Sequence, residues 1–345
     1  MTGFSRSFLL LLIICNFIYP INTFAEIIHA QTCSQLDVQA AINSANDGDV
    51  IVIPAGSCTW TSRVIVNKPV IVLGEGRYAI DYKHEDIGSW PLKITLSGNV
   101  GIEIQGSSND YIRIKGIYFT GTTEGGWGPN EGGAIFVNRY NRSESWRVDN
   151  CKFDVSGSSI RVARGYGLID SCYFYKPDCG TSNDIRVSNF LDSNGDSVWT
   201  YPPNFGSADF VFIENCIFWK KCTRSNMSPV AVDAQAGGKY VIRYCYFHDC
   251  FILNHGTESG APQRGGYAFE IYENEFYWHL PSDRYHAAYF CRGGTMLMFN
   301  NKITNYQAMW KTWVRRANQT WGRFGQCDGT QSHDGNLYGY PPGYP

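Results

Sequence analysis

One internal repeat restricts what this chain can fold into. VDNCKF ends at Phe153, IDSCYF at Phe174, IENCIF at Phe218, IRYCYF at Phe247 and IYENEF at Phe276. IKGIYF, ending at Phe119, and MFNNKI, ending at Ile303, are degenerate copies. The phrase ends lie 34, 21, 44, 29, 29 and 27 residues apart. Helical arrays keep a fixed period; strands that hold register while their loops vary do not. A coil this short cannot bury its own apolar face. Stacked coils can, because strands of successive turns lie about 4.8 Å apart and every inward residue meets a like neighbour above and below. The repeat therefore predicts an all-β chain, a right-handed parallel β-helix with one coil per phrase.

Local patterning agrees. In Tyr240-Val241-Ile242-Arg243, Ile242 is expected to face inward and Arg243 outward. The turn position of the phrase forms a ladder of Ile117, Cys151, Cys172, Cys216, Cys245, Asn274 and Asn301. An Asn there can bond its own turn and the backbone of the next coil, while a buried Cys behaves as a small hydrophobe. A β-sandwich would need tight hairpin pairs such as Asn-Gly between strands, and Asn194-Gly195 falls in a loop instead.

A chain of 345 residues with 43% hydrophobic content can bury a large core, and a solenoid of this length need not divide into domains. A net charge of −2 gives no reason to expect nucleic acid or an anionic membrane surface as partner. Residues 1–25 read as a secretory signal: Arg6, the apolar run from Phe8 to Ile18, then Thr23-Phe24-Ala25 as a small-x-small cleavage site, with Ala30 as a second cut. Asn16 interrupts the run and Pro20 closes it, which argues against a membrane anchor. The expectation is a secreted, extracellular monomer that meets no membrane after processing. Residues 26–345 then form one domain, with a capping helix at about 35–45, coils at about 50–305 and a C-terminal cap or tail at 306–345.

Export makes the twelve cysteines informative. Eleven follow the signal, an odd number. Cys33 and Cys58 flank the capping segment and are expected to bridge; Cys216 with Cys222, Cys245 with Cys250, and the ladder neighbours Cys151 and Cys172 are further candidates. No C-x-x-C pair occurs, so no residues are assigned to a metal on that signal.

From Asp37 to Trp60 the chain reads DVQAAINSANDGDVIVIPAGSCTW: a helix with Val38, Ala41 and Ile42 on one face, an Asn-Asp-Gly-Asp turn, an apolar strand and Pro-Ala-Gly. This resembles the amphipathic cap and first strand of secreted β-helix proteins of the pectate-lyase-like superfamily, and with the phrase ladder the resemblance covers roughly 33–305. It implies the fold; the superfamily spans lyases, hydrolases, epimerases, adhesins and tailspikes, so it leaves the reaction open. Gly237 to Tyr240, His255 to Ser259, Arg264 to Phe276 and Cys327 to Thr330 are similar to motifs of a group of bacterial extracellular β-helix proteins.

Aligning the coils on their Phe ends places Arg164, Ala234, His255 and Arg292 together, with Ala163, Asp233, Asn254 and Cys291 one place earlier. Asp233, His255 and Arg292 are then expected along one outer stripe, with Glu258, Arg264 and Glu270 within reach. These six are the candidate catalytic residues. Lyases remove a proton beside a uronate carboxylate and must neutralise that carboxylate, while hydrolases need two carboxyls at a set separation. Trp199, Tyr201 and Phe205, on a loop at 191–207, can stack on sugar rings, and Arg164 and Lys239 complete the candidate substrate contacts. Asp233, Glu258 and Glu270 leave Ca2+ open as a cofactor, although three carboxylates fall short of the usual six to eight oxygens. The paired aspartates of polygalacturonases are missing. The expected partner is a polysaccharide, handled by a lyase or hydrolase; the alternative is a non-catalytic glycan-binding, adhesive or structural β-helix.

Overall fold

The repeated phrase encodes a turn. Before each ladder residue the backbone is left-handed: φ is 73° at Gly116, 52° at Asn150, 51° at Ser171, 51° at Asn215, 57° at Tyr244, 56° at Glu273 and 51° at Asn300. One residue in that conformation redirects the chain sharply, so the strands on either side of it join different sheets. The computed structural model describes residues 25–81, 83–106, 111–123, 132–139, 144–176, 183–189, 202–220, 229–256, 265–279 and 287–312.

Among these residues, 28 strands form one ten-stranded and two nine-stranded sheets. After the opening pair of Ile27–His29 with Val50–Val52, paired strands lie three apart in chain order and run parallel. Each coil thus contributes one strand to each sheet. Lys239–Arg243 lies in the first sheet, Tyr246–His248 in the second and Phe251–Asn254 in the third. The chain is the right-handed parallel β-helix that the repeat predicts, since crossovers between parallel strands take that hand.

The ladder faces inward. Cys151, Cys172, Cys216, Cys245 and Asn274 are buried. Asn274 Nδ2 donates to Tyr272 O at 3.0 Å and to Ile242 O in the preceding coil at 2.9 Å, and its Oδ1 accepts from Cys245 N at 3.0 Å. The Cys245 thiol reaches the equivalent carbonyls, Arg243 O at 3.4 Å and Ile213 O at 3.5 Å. Cysteine here is more than a small hydrophobe: it is a weak donor in the place of the Asn amide. Beside the ladder, Phe119, Phe153, Phe174, Phe218, Phe247 and Phe276 stack with successive centroids 5.5, 5.0, 4.6, 4.8 and 4.5 Å apart.

The capping helix runs Gln35–Ser44, with Ser34 Oγ accepting from Asp37 N and with Val38, Ala41 and Ile42 buried against the first coil. Cys33 and Cys58 are disulfide-bonded. Cys151, Cys172, Cys216, Cys245 and Cys250 are free thiols, which corrects the pairings expected for them; each Sγ is buried and lies within reach of a main-chain carbonyl. Cys222 lies outside the described residues. Two boundaries also shift. Ile27–His29 adds a strand to the first sheet before the cap. Ala308–Thr312 is a coil strand of the third sheet, so the coils run past 305. No helix among the described residues is long and apolar enough to cross a membrane.

Candidate functional site

Three coils in succession place a charge on the outer row of the third sheet. Ile160 and Val162, Ile185 and Val187, and Val232 and Ala234 point inward, which leaves Arg161, Arg186 and Asp233 in register on the opposite face. All three are nonetheless buried, Asp233 completely. A carboxylate with no access to water needs partners for both oxygens. His255 Nδ1 donates to Oδ1 at 2.8 Å; Asn183 Nδ2 donates to Oδ2 at 2.8 Å, and Arg186 Nη2 lies 3.3 Å from the same oxygen. Burial alone would raise the Asp233 pKa, but His255, Arg186 and Arg292 outweigh it and hold the carboxyl below its usual range. The ionised carboxylate in turn fixes the His255 ring by its Nδ1–H.

Asp233 and His255 are hydrogen-bonded and Arg292 acts on the same carboxylate, but Asp233 and His255 are buried and the three are not in the expected register. Asp233 pairs with Leu253, while Asn254 and Cys291 pair with Ala234. A register shift between Val230 and Val232 inserts one residue into that strand, and a count taken from the Phe ends does not contain it. Asn254 consequently faces the core, where its Oδ1 accepts from Tyr289 Oη at 2.7 Å. Arg161, Arg186 and Asn183 were not singled out by the coil alignment. The repeated Ile-Arg-Val at 160–162 and 185–187 carries the missing signal, two inward residues flanking an outward guanidinium.

The glycine motifs lie at the corner between the third and first sheets. A Cβ on Gly238 would stand 2.4 Å from Val187 O, one on Gly256 2.4 Å from Arg292 O, and one on Gly265 2.5 Å from His255 O. The backbone layers of adjacent coils touch there, and His255 and Arg292 both leave this corner.

Other candidates sit elsewhere. Glu270 is on the first sheet, where its Oε1 accepts from Gly206 N at 2.7 Å. Lys239 is buried on the same sheet, with Nζ over the rings of Phe210 at 4.2 Å and Tyr166 at 5.6 Å. Phe205 stacks on Phe210 at 6.2 Å and packs with Val241, Tyr267 and Ala268, so it covers the solenoid instead of standing free for a sugar. Arg164 ends the strand Ile160–Arg164, opposite Asn138 across a second register shift. Trp199, Tyr201, Glu258 and Arg264 lie outside the described residues. Asp233 and Glu270, on different sheets, supply no shared set of oxygens for calcium.

Two features were not anticipated. A cavity of about 440 Å³ at the edge of the second sheet is lined by Tyr78, Ile80, His84, Tyr246, Glu275 and Lys302 among others. It forms because residues 75–91 leave the coil as a short antiparallel ribbon, bridged at Arg77 with Ser89 and Ile80 with Asp86, and fold over that sheet. Next to it Tyr175, Trp219, His248 and Tyr277 run along one outer row on successive coils. Their rings follow one another at 5.4, 4.9 and 5.4 Å.

No protein-family model and no curated protein matches the chain. Among solved structures it is similar to an alginate lyase from Paenibacillus sp. str. FPU-7, at 12% identity and a TM-score of 0.45, covering 84% of this chain and 99% of that one. It is also similar to ORF18 of Geobacillus virus E2, at 12% identity, a TM-score of 0.39 and 83% of this chain, and to a tailspike protein mutant of E. coli bacteriophage HK620 in complex with a pentasaccharide, at 15%, 0.35 and 82%. The chain spans 60% of the length of each of these two. Likenesses this distant carry no argument about chemistry.

Proposed function

We propose that this protein is a polysaccharide-acting β-helix of the pectate-lyase-like kind that works outside the cell as a lyase on an acidic glycan, with His255 as the base. The observation that carries the reading is the buried Asp233–His255 pair at 2.8 Å, set among Arg186 and Arg292. Asp233 fixes the ring through Nδ1, and with its proton on Nδ1 a neutral imidazole would present Nε2 as a general base. In the reaction Nε2 takes the proton beside the uronate carboxylate. The C–H electrons form a carbon–carbon double bond, the bond to the leaving glycosidic oxygen breaks, and that oxygen takes up a proton. A guanidinium neutralises the carboxylate as negative charge develops on it. A hydrolase would instead need two carboxyls facing one bond; Asp233 and Glu270 are on different sheets and each is engaged by protein groups.

The test is a screen of the purified protein against polyuronates and neutral glycans, reading unsaturated product by absorbance and reducing ends in parallel. Unsaturated product from a polyuronate is expected, with His255→Ala lowering turnover by about 10²-fold or more while the circular dichroism spectrum stays unchanged. Reducing ends without unsaturation, or full turnover in the variant, would overturn the reading. One observation favours a second reading, a non-catalytic glycan binder: the ring row from Tyr175 to Tyr277 matches how sugars stack on aromatic faces. Trp219→Ala separates the two, since it would abolish retention on a glycan column without changing turnover.

A further inference from the structure

The second sheet ends, in two adjacent coils, on a group of side chains that the proposed lyase chemistry does not use. His248 closes the strand Tyr246–His248; Asp249 follows it in a left-handed conformation, φ 54°; His279 stands two residues past the strand Glu275–Tyr277 of the next coil. The turn aims these residues at one point. Asp249 N donates to Tyr277 O at 3.0 Å, and His279 N donates to Asp249 Oδ1 at 2.9 Å, so the two coils are laced together and the carboxylate is fixed by one oxygen. Its other oxygen, Oδ2, lies 3.4 Å from His248 Nδ1 and in direct contact with His279 Nδ1. The carboxylate is 1% exposed.

We propose that His248, Asp249 and His279 form a binding site for a divalent transition metal, with zinc as the best-fitting ion. Three ligand atoms, two imidazole nitrogens and a carboxylate oxygen, all lie within 4.8 Å of one another. Zinc takes such ligands at roughly 2.0–2.2 Å, which puts the edges of its tetrahedron at about 3.4 Å. The 3.4 Å from His248 Nδ1 to Asp249 Oδ2 is one such edge. His279, the most exposed of the three, takes the third position by a rotation that moves its Nδ1 away from Asp249 Oδ2, which leaves the fourth position to water. His248 Nδ1 is buried with no hydrogen-bond partner among the described residues, a condition that a metal would relieve. The supporting shell is already in place: the His248 ring stacks on Trp219 at 4.9 Å and on His279 at 5.6 Å, and Asp249 Oδ1 is held by the His279 amide. Two nitrogens and one oxygen suit zinc or a neighbouring transition ion and not calcium, which takes oxygens. Sequence patterning does not show the site, because its ligands sit 30 residues apart in adjacent coils.

The full-length protein, stripped with a chelator and dialysed, would be titrated with Zn2+ by calorimetry, and with Co2+ to read the visible band of a tetrahedral complex. About one equivalent per chain is expected. His279→Ala and His248→Ala should each weaken binding by at least about tenfold and remove the cobalt band, while His29→Ala, at an exposed position of the first strand, leaves both unchanged. His279 is exposed enough that its variant folds, which thermal melting in the absence of metal would verify. Binding of less than half an equivalent to the wild-type chain, or wild-type affinity in both histidine variants, would overturn the proposal.

Discussion

Asp233 shows how a single residue can be forced into its role by its surroundings. Fully buried, it keeps its charge only because His255, Asn183 and Arg186 occupy its oxygens. Its folded-state pKa is depressed, so its contribution to stability is complete above the ordinary carboxylate value of about 4 and disappears as pH falls through the lower folded value. Asp233→Asn should cost about 3–5 kcal/mol at neutral pH, because it removes the buried negative charge that His255 and Arg186 face. Urea midpoints of wild type and variant should converge as pH drops below about 4. A gap of constant size from neutral pH to about pH 3 would contradict the charge network. The residue type was legible in the sequence, as an acid near a strand end. Its partner Arg186 was not, because outward residues of different coils become neighbours only through register.

At the scale of the element, each coil is a turn with a fixed interior. The left-handed residue, the inward Cys or Asn and the Phe two places on act together: the first redirects the chain, the second ties the turn to the preceding coil, and the third enters the stack. Phe218 lies between Phe174 at 4.6 Å and Phe247 at 4.8 Å and is completely buried. Phe218→Ala should therefore destabilise the chain by about 3–5 kcal/mol, through lost burial and the cavity left behind. Chemical denaturation measures this, and a loss below about 1 kcal/mol would place the ring outside the core. The phrase was readable because turn, ladder and stack recur at fixed offsets within it. The loops between phrases follow no such rule, and the cover made by Phe205 and Phe210 on the first sheet was legible only as aromatic content.

For the whole molecule, the beginning of the first sheet bears on where a leader could be removed. Ile27–His29 pairs with Val50–Val52, and Ala30 N donates to Val52 O. Removal of a leader at Ala25 would preserve this strand; removal at Ala30 would delete it and expose the edge of Val50–Val52 beside the cap. If the protein is secreted, as we propose, the mature chain should begin at Glu26, which N-terminal sequencing of secreted material checks. A start at Gln31 would show that the solenoid does without the strand.

Sequence alone determined the stacking: the spacing of the Phe ends, the inward ladder and the helical cap all follow from local patterns, since strand alternation and turn chemistry act over a few residues. Tertiary structure decided where the coils meet. One extra residue between Val230 and Val232 moved Asp233 beside Leu253 and turned Asn254 into the core. The same coil-to-coil register brought Arg186 to Asp233, separated Glu270 and Lys239 onto another sheet, and set His279 against Asp249. Side chains point by a period of two, so which of them meet across coils depends on a count of residues through each loop and bulge, and no single phrase contains that count.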